Sequence, residues 1–286
     1  MESFLDCLPC IVGQCVRAAR FATDDERLQR RALNVVLEHL TEADLTRTPI
    51  DISLEPHRIV RAVTGCADPY AELRERSNAD ALALYPRLKS LVAESDDPLM
   101  TALRIAAAGN IMDFGALASF DVEAALDRAL TEPFAIDHSQ AFRGRLAESQ
   151  RVLYLADNAG EIVFDRVLLE ELGERELVVA VKSDLFINDA LLADAMQVGL
   201  DEVARLIEVP PGADRPELFL GEWERADIII SKGQANYEAL REARGPLFLL
   251  LIIKCPVLAA DAGVDGGSMV LVSAEAAQGK QTAHSR

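Results

Sequence analysis

Three short polar turns in the second half of the chain carry the residue types that chemistry on an anion requires. They are Asp157-Asn158-Ala-Gly160-Glu161, Ile187-Asn188-Asp189-Ala190 and Lys232-Gly233-Gln234-Ala-Asn236-Tyr237-Glu238. Each follows an apolar run and precedes residues at helical spacing. Together they offer acids, amides and a lysine beside a glycine. Carboxylate and carboxamide oxygens suit hard divalent cations such as Mg²⁺ and Mn²⁺. A lysine and the backbone N–H groups of a helix start suit phosphate. The inventory therefore fits metal-assisted phosphate chemistry. The competing reading is that each turn only caps its helix, Asp157 or Asn158 serving as an N-cap. Lys254, directly after the run Leu247–Ile253, is either a phosphate contact or an ordinary solvated charge, and spacing alone favours the latter.

These turns need a scaffold that brings strand ends together. Strand-like runs read at Val152–Ala156, Leu177–Lys182, Ala204–Val209, Asp227–Ile230, Leu247–Ile253 and Met269–Val272. Helical patterns lie between them at 161–173, 188–198, 215–225 and 234–243. Such alternation implies an α/β fold, a three-layer α/β/α domain with a mostly parallel sheet. In that arrangement the C-terminal ends of the strands share one edge, where ligands bind. Gly160 allows the sharp turn after the first run.

Residues 1 to about 145 read as helix throughout, an N-terminal all-helical domain. Thr23 with Glu26 forms a capping-box pattern, and Asp97-Pro98 opens a helix that ends at Gly109-Asn110. The expected organisation is a helical domain over 1–145, an α/β/α domain over 146–273 and a frayed tail over 274–286.

Composition narrows the function classes. With 286 residues, half of them hydrophobic, the chain has ample material for a packed core. A formal net charge of −18 argues against a nucleic-acid surface. An anionic substrate then needs a local positive site working against the global field. No apolar run reaches membrane-spanning length, and the N-terminus lacks the basic-then-apolar pattern of a signal peptide. Five scattered cysteines, Cys7, Cys10, Cys15, Cys66 and Cys255, fit a reducing cytoplasm better than a disulfide framework. Cys7-Leu-Pro-Cys10 is a C-x-x-C without the flanking pattern of a thioredoxin motif or a second zinc pair, and Cys255 is a third thiol if the chain ends meet. Asp113-Phe114-Gly115 mimics a kinase triplet, but the accompanying kinase motifs are missing. No dinucleotide or Walker glycine loop and no G-x-S-x-G elbow occurs. The four histidines form no ligand pair at helical spacing, and most read as surface residues.

In order along the chain stand Cys7-Leu-Pro-Cys10, Gly109-Asn110-Ile-Met-Asp113-Phe-Gly115, Asp157-Asn158-Ala-Gly160-Glu161, Ile187-Asn188-Asp189-Ala190, Lys232-Gly233-Gln234-Ala-Asn236 and Lys254-Cys255. This set resembles the metal-dependent damage-control phosphatases, formerly "domain of unknown function 89", in their compact microbial branch. The resemblance implies a divalent metal ion (Mg²⁺, Mn²⁺, Co²⁺ or Ni²⁺) held by Asp157, Asn158 and Asp189. It implies substrate contacts from Lys232, Gly233, Gln234, Asn236 and Lys254, with Asn110 and Asp113 lining the cleft from the helical half. Catalysis would then rest on Asp157, Asn158 and Lys232, acting on small phosphorylated metabolites such as sugar phosphates. The eukaryotic branch has Arg-Thr-x-Lys where this chain has Leu251-Ile-Ile-Lys254, so substrate preferences do not carry over from it. Cys7, Cys10 and Cys255 form a candidate second metal or redox site. The alternatives are an S-adenosylmethionine-dependent carboxyl methyltransferase, for which no glycine-rich strand-turn is present, and a non-enzymatic cysteine-based module.

Overall fold

The central strand runs are apolar at nearly every position because both sides of those strands are buried, whereas the edge strands are partly exposed. The computed structural model describes residues 1–110, 122–211 and 219–275. Among them the helices are α1 (Cys7–Ala22), α2 (Glu26–Leu40), α3 (Pro49–Thr64), α4 (Ala71–Ala93), α5 (Pro98–Gly109), α6 (Val122–Thr131), α7 (Ser139–Glu148), α8 (Glu161–Glu170), α9 (Leu192–Gln197), α10 (Leu220–Arg225), α11 (Gln234–Leu240) and α12 (Pro256–Ala262). The strands are β1 (Ile136–Asp137), β2 (Arg151–Leu155), β3 (Glu176–Lys182), β4 (Arg205–Val209), β5 (Ile228–Lys232), β6 (Leu247–Ile252) and β7 (Met269–Ser273).

Side chains leave a strand alternately to its two faces, so parity sorts these residues between two cores. Val152, Tyr154, Val179, Val181, Ile228, Ile230, Phe248 and Leu250 pack in one core with α4 to α9. Leu153, Leu155, Val178, Ala180, Ile229, Leu247 and Leu249 pack in the other with α10, α11 and α12. The result is a three-layer α/β/α arrangement around one mostly parallel seven-stranded sheet.

The sheet order is β1-β7-β6-β5-β2-β3-β4. Strands β2 to β6 are mutually parallel, and β7 runs antiparallel to β6. From β2 the chain steps outward to β3 and β4, then returns to place β5 on the other flank of β2. Right-handed crossovers require the connecting helices to change face when the direction of travel reverses, and α10 and α11 duly lie opposite α8 and α9. The reversal makes the C-terminal ends of β2 and β5 a topological switch point, where the strand edge opens into a crevice.

The helical half divides in a way its periodicity does not reveal. Helices α1, α2 and α3 bury Ile11, Cys15, Ala32, Val36, Ile52 and Val60 in a core of their own. Helices α4 and α5 instead share the core of the sheet. The short strand β1 pairs in parallel with β7, so residues 136–137 belong to the sheet and not to an uninterrupted helical region. Thr23 does not cap α2; Asp25 does, accepting from Arg27 N at 2.9 Å, while Thr23 closes α1. Asp97 caps α5 as expected. No helix among the described residues is long and apolar enough to cross a membrane.

His57 is an exception to the reading of most histidines as surface residues. It is buried between α3 and the turn after β3, ring-to-edge with Phe186 at 5.2 Å. Burial first, then the charges of Arg61 and Arg17, push its pKa down to about 4 from 6.5. The fold thus favours the neutral ring, and this stabilisation is full above pH 6.5 and lost as pH falls toward 4. Wild-type stability should therefore drop between pH 7 and pH 4.5 by up to about 3 kcal/mol more than that of His57→Leu, measured by chemical denaturation. Equal losses in the two proteins would contradict this origin.

Candidate active site

The first two turns meet through their main chains. Ala190 N donates to Asp157 O at 2.8 Å and Ala159 N to Asn188 O at 3.0 Å, and Asn158 and Asp189 form an isolated antiparallel bridge. This miniature ladder sets Asp157, Asn158 and Asp189 side by side at the mouth of the crevice, each nearly buried. None of them caps a helix. The cap residue of α8 is Gly160, in positive φ at 76°, and that of α9 is Leu191, whose N–H donates to Asp194 at 3.0 Å. The capping alternative is thereby excluded for Asp157, Asn158 and Asp189.

The third turn comes close enough to touch the first. Gly233 sits at φ 81°, and a Cβ built there would overlap the Asp157 carboxylate. Only glycine meets both conditions. The helical half closes the site from the other side. At Gly109 a Cβ would lie 2.7 Å from the Phe164 Cβ, so the small run Ala106-Ala-Ala-Gly109 lets α5 settle directly on α8. That contact brings in Asn110, whose Nδ2 donates to Asp157 Oδ2 at 3.3 Å and to Glu161 Oε2 at 3.1 Å. Asn78 on α4 pins the same turn by accepting from Gly160 N at 2.7 Å. Asp113 lies outside the described residues.

Glu161 is the hub of the arrangement. Its Oε2 accepts from the amides of Asn110 and Asn158, and its Oε1 from Lys232 Nζ at 2.6 Å. Lys232 also donates to Asp165 Oδ1 at 2.5 Å and to Ala106 O at 2.9 Å. Its side chain is 0% exposed, and all three ammonium protons are committed. Burial opposes its charge, but Asp165 and Glu161 outweigh that and hold its pKa above the ordinary lysine value. Burial likewise lifts Asp165 to about 6 against the pull of Lys232. A direct phosphate contact from Lys232 does not suit this geometry. The strand parity of Lys232, shared with Ile228 and Ile230, sends it under α8 rather than into the crevice. Glu161 and Asp165, which sequence reasoning did not single out as site residues, stand at i and i+4 on one helix face.

Two expected substrate contacts are also structural here. Asn236 spends its amide protons on Lys232 O at 2.8 Å and Ala156 O at 3.4 Å. Gln234 Oε1 accepts from Lys254 N at 2.5 Å and Cys255 N at 2.9 Å, which joins the ends of β5 and β6. Lys254 itself is exposed at that edge. Cys7, Cys10 and Cys255 come within electrostatic reach of one another and of Glu238, which burial pushes up to about 7. Burial and these neighbours raise Cys7 and Cys10. All five cysteines are free.

The donors at the crevice fit a hard divalent cation. Among the described residues no three His, Cys, Asp or Glu side chains form a group that could hold a metal ion. Because a carboxylate only accepts, Glu161 turns the NH₂ groups of Asn110 and Asn158 toward itself and leaves their oxygens on the other side. Asn110 Oδ1 is buried without a hydrogen-bond partner among the described residues. Glu161 and Asp165 share Lys232 as their buried ammonium partner, two acids on one base. Removing one base should expose that imbalance. Lys232→Met should destabilise the fold by about 3–5 kcal/mol in chemical denaturation, because two carboxyl groups lose their buried partner. A loss below about 1 kcal/mol would show that the ion cluster does not carry the site.

Comparison with known proteins agrees with this architecture. Residues 3–270 match the damage-control phosphatase ARMT1-like domain. A damage-control phosphatase of Archaeoglobus fulgidus is 35% identical over 280 residues, covering 92% of this chain and 96% of that protein. An uncharacterized protein of Methanocaldococcus jannaschii is 34% identical over 287 residues, 93% of this chain and 94% of its own. The damage-control phosphatase PH1575 of Pyrococcus horikoshii is 30% identical over 288 residues, 94% and 97% of the two chains. The crystal structure of the DUF89 family protein from that organism superposes with a TM-score of 0.85 at 27% identity, covering 96% of this chain and 99% of that one. With its switch-point crevice and its match over nearly the full length, the chain belongs to the damage-control phosphatase ARMT1-like family.

Proposed function

We propose that this protein is a metal-dependent phosphatase that hydrolyses small phosphorylated metabolites, phosphomonoesters such as sugar phosphates among them. Homologues named damage-control phosphatase support a phosphatase-type function. The single observation behind the finer reading is the juxtaposition of Asp157, Asn158 and Asp189 at the switch point, made by main-chain hydrogen bonds rather than by side-chain capping. Oxygens of these three residues would hold a divalent ion, Mg²⁺, Mn²⁺, Co²⁺ or Ni²⁺. When bound, it supplies Lewis-acid polarisation of the phosphoryl group and neutralises the developing charge.

The residues around it set the geometry. Glu161 orients the Asn158 and Asn110 carboxamides, and Lys232 holds Glu161 in place from below. Gly233 lets the β5 turn lie against Asp157, so the phosphoryl group is approached by backbone rather than by a bulky side chain. Lys254 stands exposed at the edge, where it would meet the charge of an incoming anion against a global charge of −18. Packed helices α4 and α5 limit water access from one side, which strengthens the electrostatic interactions within.

Asp157→Ala should fold with near wild-type stability yet lose at least about 10³-fold of the metal-dependent release of inorganic phosphate. The assay is a panel of sugar phosphates and related phosphomonoesters with each of the four ions, and a chelator should abolish the wild-type signal. Phosphate release that survives Asp157→Ala would sink the site assignment.

A further inference from the structure

If Lys232 is consumed by its carboxylates, the crevice needs another cation for phosphate. Lys182 has the properties of one. It is the last residue of β3, the strand beside β2, and the pairing of Leu155 with Ala180 sets it level with Asp157. Its N–H donates to Ala190 O at 2.9 Å and its main chain bridges Leu191, so it is clamped next to Asp189. The side chain is buried at 5% exposure.

Its hydrogen bonding is incomplete. Among the described residues the ammonium has one hydrogen-bond partner, Asn236 Oδ1 at 3.3 Å, and no ion pair. That carboxamide is turned toward Lys182 because its NH₂ group is held by Lys232 O and Ala156 O. A buried ammonium carries three donors, and two of these have no protein partner among the described residues, which suits them to an anion. Parity separates the two lysines. Lys182 follows Val178 and Ala180 toward the α11 face, away from the Lys232 cluster. The open donors therefore lie on the side of the crevice where no other buried cation stands among the described residues.

We propose that Lys182 is the buried cation that receives the phosphoryl oxygens of the substrate and of the inorganic phosphate product. The assignment rests on the phosphatase reading and deepens it, giving the phosphate a binding residue distinct from the metal-binding set. Titration calorimetry with inorganic phosphate in the presence of Mg²⁺, on the full chain, tests it. Lys182→Met should weaken phosphate binding about 10- to 100-fold, as expected for the loss of charge-assisted hydrogen bonds. Mg²⁺ titrated alone should bind that variant as tightly as wild type or more tightly, because a nearby positive charge is gone. Lys182→Arg, which keeps the charge, should stay within about tenfold of wild type in phosphate affinity. Wild-type phosphate affinity in Lys182→Met would overturn the assignment and leave the phosphatase reading standing. A wild-type protein that binds no phosphate with any divalent ion would overturn both. A measurement without variants covers a failure of Lys182→Met to fold. Phosphate with Mg²⁺ should slow acetylation of Lys182 by an amine-acylating reagent about tenfold, read by peptide mass spectrometry, and unchanged labelling counts against the proposal.

Discussion

The structure depends on one buried ion cluster. Lys232 reaches from the end of β5 into the layer beneath α8 and meets Glu161, Asp165 and the carbonyl of Ala106. Those partners belong to two helices, so a single ammonium ties the sheet to α5 and α8 at once. All three donors of this fully buried ammonium are met, which offsets the cost of taking its charge out of water. The cluster also has a direction. Glu161 has a second oxygen to spend, and it spends it on Asn110 and Asn158. Through that carboxylate, order in the core becomes orientation of carboxamide oxygens at the crevice.

Two close approaches make the cluster possible, and both require the absence of a side chain. Gly109 lets α5 sit against Phe164 of α8, which puts Ala106 O and Asn110 where they are needed. Gly233 lets the β5 turn lie against the Asp157 carboxylate. The topology supplies the rest, because reversal of the strand order between β2 and β5 leaves their ends adjacent with no helix crossing over them. Family membership and the site geometry thus agree for independent reasons, one from sequence similarity over residues 3–270 and one from packing.

Much of this was legible in the residues, and the misreadings have physical causes. The apolar runs announced the strands because a parallel sheet is buried on both faces, and the polar turns after them marked the crevice edge. Ile136–Asp137 was not legible, since a two-residue edge strand has no period to read. Shared burial of α4 and α5 with the sheet was hidden as well. Periodicity tells which face of a helix is apolar but not which layer covers it. The burial of His57 was not legible because nothing local signals the Phe186 ring that meets it from a distant turn. Lys232 was the instructive case. A lysine beside glycine at a strand end suggests phosphate, yet its even-numbered parity with Ile228 and Ile230 pointed it at α8, where Glu161 and Asp165 stand one turn apart. The same parity argument turns Lys182 to the opposite face.

Asp157, Asn158 and Asp189 are proposed to bind a hard divalent ion together at the switch point. Anomalous diffraction from crystals of the wild-type protein grown with Mn²⁺ tests it most directly. One strong anomalous peak is expected at the mouth of the crevice, coordinated by oxygens of Asp157, Asn158 and Asp189. A peak at Cys7, Cys10 and Cys255 with none at the crevice, or no peak at all, would contradict it.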